Sequence, residues 1–246
     1  MQEFDGKVVL VTGFGSGIGR AVAVAFAAQG ARVVGLSRRT GPGEEVAAQI
    51  KALGGEALFM ATDVGDAEAV QLAVGQAITQ FGGIDVAVNS AGIRLTGTAT
   101  SLSVADWDAV IRTNLTGSFL VSRAVIATMG DAGGTIINIS ANSGFRGTAG
   151  RVAYSVSKGA IHNLTEAMAL DHAADGIRVN CIAPGPTATA MLDGLPREML
   201  ARLDTTIPLG KIGEAEQVAS AALFLASDAA AHITGAILPV NGGAHL

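Results

Sequence analysis

Tyr154 is the only tyrosine in the chain, and Lys158 stands four positions after it in Val152-Ala153-Tyr154-Ser155-Val156-Ser157-Lys158. Residues four apart on a helix share one face, one turn from each other. An unperturbed phenol titrates near pH ~10, and a neighbouring ammonium favours the phenolate and lowers that value. A tyrosine held this way can donate a proton to a ketone oxygen, or accept one from an alcohol. A second chemical feature is Thr12-Gly13-Phe14-Gly15-Ser16-Gly17-Ile18-Gly19. Glycines permit a tight turn and close approach of backbone to a pyrophosphate. The helix that follows offers amide donors and the positive end of its dipole.

Ser37 lies twenty residues past Gly17, where the second strand should end. Sites that take NAD place an acidic residue there to hold the free ribose 2′-hydroxyl. This chain has serine, followed by Arg38 and Arg39. A guanidinium binds phosphate bidentately and stacks on adenine, whereas a carboxylate would repel it. The sequence therefore favours NADP(H) over NAD(H), with Arg38 as the main contact and Ser37 as a hydroxyl donor. Metal chemistry is not indicated: His162, His172, His232 and His245 are dispersed, without metal-ligand spacing.

These groups need a scaffold to bring them together. Short β-branched runs at 7–12, 31–37, 56–61, 84–89, 134–140, 177–183 and 236–240 alternate with longer amphipathic segments. The latter fall at about 18–29, 43–53, 66–81, 103–111, 114–130, 152–174, 188–203 and 214–226. Most of the strand runs are nearly continuous in apolar residues, as in strands buried on both faces. Such alternation predicts an α/β fold with a parallel sheet covered by helices on both sides. No linker, charge run or internal repeat divides the chain, so 1–246 reads as a single domain. The stretch 184–212 holds Pro184, Pro186, Pro196 and Pro208 and reads as a mobile substrate loop.

Together these motifs resemble the short-chain dehydrogenase/reductase family. Gly13-x-x-x-Gly17-x-Gly19 is similar to its glycine turn, and Asp63-Val64 to the strand end that contacts adenine. Asn89-Ser90-Ala91-Gly92 is similar to its Asn-Asn-Ala-Gly, with Ser90 for the second Asn. Asn114 matches the family's structural and catalytic Asn, and Tyr154-x-x-x-Lys158 its active-site pair. Pro184-Gly185 and Thr189 match the Pro-Gly-x-x-x-Thr segment beside the nicotinamide; Pro208-Leu209-Gly210 and Gly242-Gly243 also fit. The resemblance covers essentially the whole chain. It implies a Rossmann-type doubly wound domain, strand order 3-2-1-4-5-6 with a seventh strand added and helices on both faces. It implies cofactor contacts at Gly13, Gly15, Ser16, Gly17, Ile18, Gly19, Ser37, Arg38, Asp63, Val64, Asn89, Ala91 and Gly92. Tyr154, Lys158, Pro184, Gly185, Thr187 and Thr189 complete that set. The implied reaction is hydride transfer between a nicotinamide and a ketone or secondary alcohol. Lys158 then also bonds the nicotinamide ribose, the oxidised ring helps lower the Tyr154 value, and Asn114 holds a water that extends the proton path. An enoyl reductase is disfavoured, because its tyrosine and lysine usually lie further apart.

One member is missing. The family's active-site serine lies thirteen residues before the tyrosine, and that position is Ala141. The surrounding Asn138-Ile139-Ser140-Ala141-Asn142-Ser143-Gly144 otherwise matches. Losing such a donor costs about 10²–10³ in rate in a comparable oxyanion site. Three explanations stand. Ser143 takes over, provided a bent turn closes the ~6.5–7 Å that two extended residues would span. Alternatively, Ala141 is a deliberate substitution that disables an ordinary enzyme, or the chain is a natural variant with weak or different activity. Ser140 is a weaker substitute, because strand alternation points it to the opposite face.

Sixteen basic and 21 acidic residues give a net charge of −5, with no basic run, so neither nucleic acid nor an anionic membrane is an expected partner. No apolar stretch approaches spanning length. Residues 1–20 show no leader pattern, and the lone Cys181 fits a reducing cytoplasm. The resemblance implies a homotetramer, with a dimer as runner-up, built on helices near 114–130 and 152–174 and on the C-terminal segment. The substrate should meet Ile93, Arg94, residues 142–151 and the mobile stretch, where Met191, Leu192 and Leu195 offer an apolar wall. Arg94, Arg146 and Arg151 could meet a carboxylate, but read first as surface or subunit-contact residues. The competing class is a non-catalytic NADP-binding sensor or scaffold, motivated by Ala141 and opposed by the retention of Tyr154, Lys158 and Asn114.

Overall fold

A computed structural model describes residues 3–190, 192 and 197–244. Its strands are β1 (Val8–Thr12), β2 (Arg32–Ser37), β3 (Glu56–Ala61), β4 (Val86–Asn89), β5 (Gly134–Ile139), β6 (Ile177–Pro184), β7 (Thr187–Ala188), β8 (Gly213–Glu214) and β9 (Ile237–Val240). Seven of them form one sheet in the order β3-β2-β1-β4-β5-β6-β9, and every pairing is parallel. This is the doubly wound order, with a seventh strand added, that the family resemblance implies. The helices are α1 (Gly17–Ala28), α2 (Thr40–Ala52), α3 (Ala67–Phe81), α4 (Val104–Ile111), α5 (Gly117–Met129), α6 (Val152–His172), α7 (Arg197–Thr206) and α8 (Ala215–Ala226).

Alternation along the strands sorts the core into two layers. Val9, Val11 and Val33 pack with Val22 and Phe26 of α1 and with Val218 and Leu225 of α8. Leu10, Val34 and Leu36 pack with Val70 and Val74 of α3 and Val121 and Val125 of α5. Both faces of β1 are thus covered, which explains its unbroken apolar sequence. Chain direction across the sheet reverses between β1 and β4, and such a switch point leaves a crevice at the carboxyl ends of the strands.

Three helix boundaries differ from the sequence reading. α2 starts at Thr40, not 43, because Pro42 falls in its first turn, where a missing N–H costs nothing. The segments read as 103–111 and 114–130 are one continuous helical run, joined by a π-helical turn at Arg112–Thr116. No helix starts at 188: Thr187–Ala188 is strand β7, paired with β8, and the described helix of this span is α7, Arg197–Thr206. The Thr187 hydroxyl donates to the Gly185 carbonyl and the Thr189 hydroxyl to the Thr187 carbonyl, holding this segment in tight turns. Part of the span 184–212, including Met191 and Leu195, lies outside the described residues. Among the described residues no helix is long and apolar enough to cross a membrane.

Candidate active site

Two adjoining hollows open at the carboxyl ends of the central strands. The larger, about 460 Å³, is lined by Gly13 and Ser16–Gly19, by residues 139–143 after β5, by Tyr154 and Lys158 of α6, and by Pro184–Thr187 and Thr189. The smaller, about 330 Å³, is lined by Gly15, by residues 36–39 at the end of β2, and by Thr62, Val64, Ala91 and Ile93. Gly13, Ser16 and Gly92 border both.

The glycine turn is built for close approach. Gly13 has φ +68°, and a side chain on it would press on the Ser90–Ala91 backbone at 3.0 Å. A side chain on Gly19 would collide with the Gly13 carbonyl. Thr12 secures the opposite wall, its hydroxyl accepting from the Ser90 and Ala91 amides at 3.0 Å each. α1 carries no acidic residue in its first turn, so its amide end stays attractive to an anion. The donor set and the absent side chains fit the pyrophosphate of a dinucleotide. Asn89 is buried away from the hollows, and its side-chain amide donates to Ser122 and Asn138. Asp63 pairs with Arg112 at 2.9 Å and accepts from the Gly65 amide, while its neighbours Thr62 and Val64 line the smaller hollow. Arg38 and Arg39 both line that hollow, and the Arg39 guanidinium donates to the Ser16 hydroxyl at 3.3 Å.

α6 presents Tyr154 and Lys158 to the larger cavity, both buried. The Lys158 Nζ donates to the Ile139 carbonyl at 2.8 Å and lies 5.8 Å from the centre of the Tyr154 ring. Burial pulls the lysine down to about 8, the nearby Cys181 opposing this slightly. The sequence reading expected the ammonium to lower the phenol. Instead, burial raises Tyr154, and the cations that pull it back are Arg94 and Arg151. The physical reason is that both groups of the pair are desolvated and the ammonium is turned toward the Ile139 carbonyl.

Asn114 sits in the π-helical turn, a deformation often found at functional sites. Its amide exchanges hydrogen bonds with the Ile93 backbone, at 2.8 and 3.0 Å, and donates to the Ser157 hydroxyl at 3.0 Å. It therefore clamps the segment after β4 to α6, one residue before Lys158. Its own carbonyl accepts from the Ser118 hydroxyl.

Beyond β5 the chain stays extended at Ala141 and then bends into a 3₁₀ turn over Asn142–Gly144. This turn brings Ser143 to the wall that also carries Ala141 and Tyr154. Its hydroxyl accepts from Thr148 at 3.2 Å, leaving its own proton available. The Ser140 hydroxyl is engaged elsewhere, with the Lys158 carbonyl at 2.9 Å and His162 Nε2 at 2.8 Å. Leu192, Leu203 and Thr206 close the far side of the cavity. Sequence reasoning missed Thr12 and the reach of Arg39, whose signals lie only in tertiary contacts. Among the described residues no cluster of His, Cys, Asp and Glu could hold a metal ion.

A doubly wound sheet with a glycine turn at its switch point and a buried Tyr–Lys pair over the same crevice defines a dinucleotide-dependent oxidoreductase fold. A family model described as enoyl-(acyl carrier protein) reductase matches residues 13–245. The chain is 38% identical over 243 residues to a meso-2,3-butanediol dehydrogenase of Serratia marcescens, covering 99% of this chain and 96% of that one. It is 40% identical over 246 residues to a D-threitol dehydrogenase of Mycolicibacterium smegmatis, covering 98% and 94%. A solved double mutant of a Serratia marcescens short-chain dehydrogenase/reductase superposes with a TM-score of 0.94, at 34% identity over 99% of this chain and 100% of that chain. The chain belongs to the short-chain dehydrogenase/reductase family, which makes it an oxidoreductase with a nicotinamide cofactor.

Proposed function

We propose that this protein transfers hydride between NADP(H) and a ketone or secondary alcohol, with Tyr154 as acid and base. The observation that carries the reading is that Tyr154, Lys158 and Ser143 line one cavity together with the glycine turn. The chemistry the bound dinucleotide supplies is hydride at the carbonyl carbon. The Tyr154 hydroxyl donates its proton to the carbonyl oxygen in reduction and takes it back in oxidation. Ser143 donates a hydrogen bond to the same oxygen, where negative charge develops. Lys158 holds the nicotinamide ribose, and Asn114 holds a relay water. Relatives named for butanediol and threitol, both of which carry secondary hydroxyls, support the substrate class. The three-residue gap between Tyr154 and Lys158 favours carbonyl over enoyl reduction. NADP(H) is supported by Ser37, Arg38 and Arg39 around a hollow whose described lining has no carboxylate. A homotetramer is supported by the exposed Phe119 of α5, Val156 of α6 and Phe224 of α8, and light scattering tests it.

The deciding experiment follows NADPH and NADH consumption with diketone, cyclic ketone and 3-oxoacyl thioester substrates, for the unsubstituted chain and for Tyr154→Phe. Turnover with NADPH that vanishes in Tyr154→Phe is expected. A preference for NADH overturns the cofactor assignment. Ala141 favours a second reading, a dinucleotide-binding protein without catalysis. Tight NADPH binding without turnover, even in Ala141→Ser, would establish that reading instead.

A further inference from the structure

The described lining of the larger cavity carries three cationic side chains, Arg94, Arg151 and Lys158, and no Asp or Glu. This stands out in a chain with net charge −5. Lys158 is turned toward the Ile139 carbonyl. Arg94 and Arg151 reach the cavity from two segments distant in sequence, the loop after β4 and the start of α6. Those segments are tied together by backbone. The Gly97 amide donates to the Gly150 carbonyl at 2.8 Å, the Val152 amide to the Gly97 carbonyl at 3.4 Å, and Gly97 and Arg151 form an isolated parallel bridge. Gly97 is itself fixed, because a side chain there would sit 2.8 Å from Leu102 Cβ. Asn114 anchors the same loop one residue before Arg94, through Ile93.

The two arginines thus spring from one braced stretch of backbone; Arg151 acts electrostatically on Arg94, and both act on Tyr154. Arg94 keeps a further interaction of its own, so the inference rests on converging charge, not on an empty donor. Like charges gathered beside a desolvated phenol are costly unless an anion joins them. Arg146 differs: its guanidinium donates to the Ala244 carbonyl at 3.3 Å and it does not line the cavity.

We propose that Arg94 and Arg151 form an anion subsite that seats the carboxylate of an oxo acid or hydroxy acid, with the reacting oxygen at Tyr154. A planar carboxylate matches the guanidinium fork, and a bidentate grip would fix the orientation of the carbonyl. The inference rests on the carbonyl-reductase reading and names its substrate class: small oxo acids rather than neutral ketones.

The test separates binding from turnover. The protein, loaded with NADP+ so that no reduction occurs, is titrated calorimetrically with 2-, 3- and 4-oxo acids and with their methyl esters. Reduction of the same compounds is then followed with NADPH. For at least one chain length the acid should bind at least tenfold more tightly than its ester. The ratio should fall to about one in Arg94→Gln/Arg151→Gln and survive in Arg146→Gln. Because Arg151 is the N-cap of α6, Arg94→Lys/Arg151→Lys serves as the charge-retaining control and should keep part of the preference. Equal binding of acid and ester, no binding of either, a preference that persists in the double Gln variant, or one lost equally in Arg146→Gln each overturns the subsite. Acid-selective binding without reduction leaves the subsite standing and overturns the hydride-transfer reading alone.

Discussion

Lys158 should cost this protein stability, and Lys158→Met should show it. Its ammonium is buried, and burial takes its pKa from 10.5 to about 8. Each unit corresponds to ~1.36 kcal/mol, so holding the cation costs about 3 kcal/mol at neutral pH. Methionine has similar reach and no charge. It forfeits the bond to the Ile139 carbonyl, worth ~1 kcal/mol. The net gain is about 2 kcal/mol, or ~4–8 °C in Tm for a chain of this size. The sign with pH follows from linkage. A base whose folded pKa is depressed carries its full penalty below about 8 and loses it as pH rises toward 10.5, where the unfolded lysine also deprotonates. Cys181, pushed up to about 12 by burial against the pull of Lys158, works the other way above pH ~9, and at pH 10 its folded thiol stays protonated with or without that pull, so its effect nearly cancels between the two proteins. Urea unfolding of the unsubstituted chain and Lys158→Met at pH 7 and pH 10 therefore isolates the lysine. The variant should be inactive, more stable by about 2 kcal/mol at pH 7, and about level at pH 10, where the residual ~1 kcal/mol of penalty is offset by the lost hydrogen bond. A variant less stable than the unsubstituted chain at pH 7, or a gap that does not change with pH, would refute the reasoning.

The remaining predictions concern the wall and the cofactor end. Ser143→Ala should lower kcat/KM by about 10²–10³, whereas Ala141→Ser should gain less than tenfold while Ser143 is present and restore activity to Ser143→Ala. Steady-state kinetics of the four proteins checks this, and a gain above a hundredfold in Ala141→Ser alone would show that Ser143 does not serve. Arg38→Ala and Arg39→Ala should each raise KM for NADP roughly tenfold or more and leave NAD little affected, since a charge-assisted hydrogen bond is worth ~1.5–3 kcal/mol. Both arginines of the larger cavity pull the Tyr154 phenol down, so Arg94→Gln/Arg151→Gln should move the onset of alcohol oxidation to higher pH, read from a kcat/KM profile.

The fold and the acid/base pair were legible because their signals are local. Seven apolar strand runs fixed the sheet, and Tyr154 and Lys158 share a face by helical spacing alone. Ser143 was legible only as an alternative, since its approach depends on the 3₁₀ turn that follows Ala141. The π-helical turn escaped notice: Asn114 is pinned by Ile93 and Ser157, and neither contact has a signature in the helix sequence. The span read as a helix from 188 is amphipathic enough to suggest one, yet Thr187–Ala188 finds a strand partner far along the chain at Gly213–Glu214. Arg94 and Arg151 read as ordinary surface arginines because the Gly97 backbone bridge that joins their segments depends on main-chain atoms.

That bridge links recognition to chemistry. The two guanidiniums that would grip a carboxylate are also the charges that oppose the rise of the Tyr154 pKa. An anion seated between them would cancel much of their field at the phenol, so the phenol would hold its proton more firmly. Ketone reduction needs that proton present when hydride arrives, and oxidation needs it absent. Burial already holds the Tyr154 phenol above its ordinary value, so reduction finds the proton in place with acid and neutral ketone alike, and the lost pull shows in oxidation, where a bound hydroxy acid moves the onset to higher pH. In this arrangement selectivity for the acid in reduction comes from the ion pair, whereas in oxidation the same ion pair binds the hydroxy acid and delays loss of the Tyr154 proton, an opposition that a pH profile of kcat/KM separates from binding.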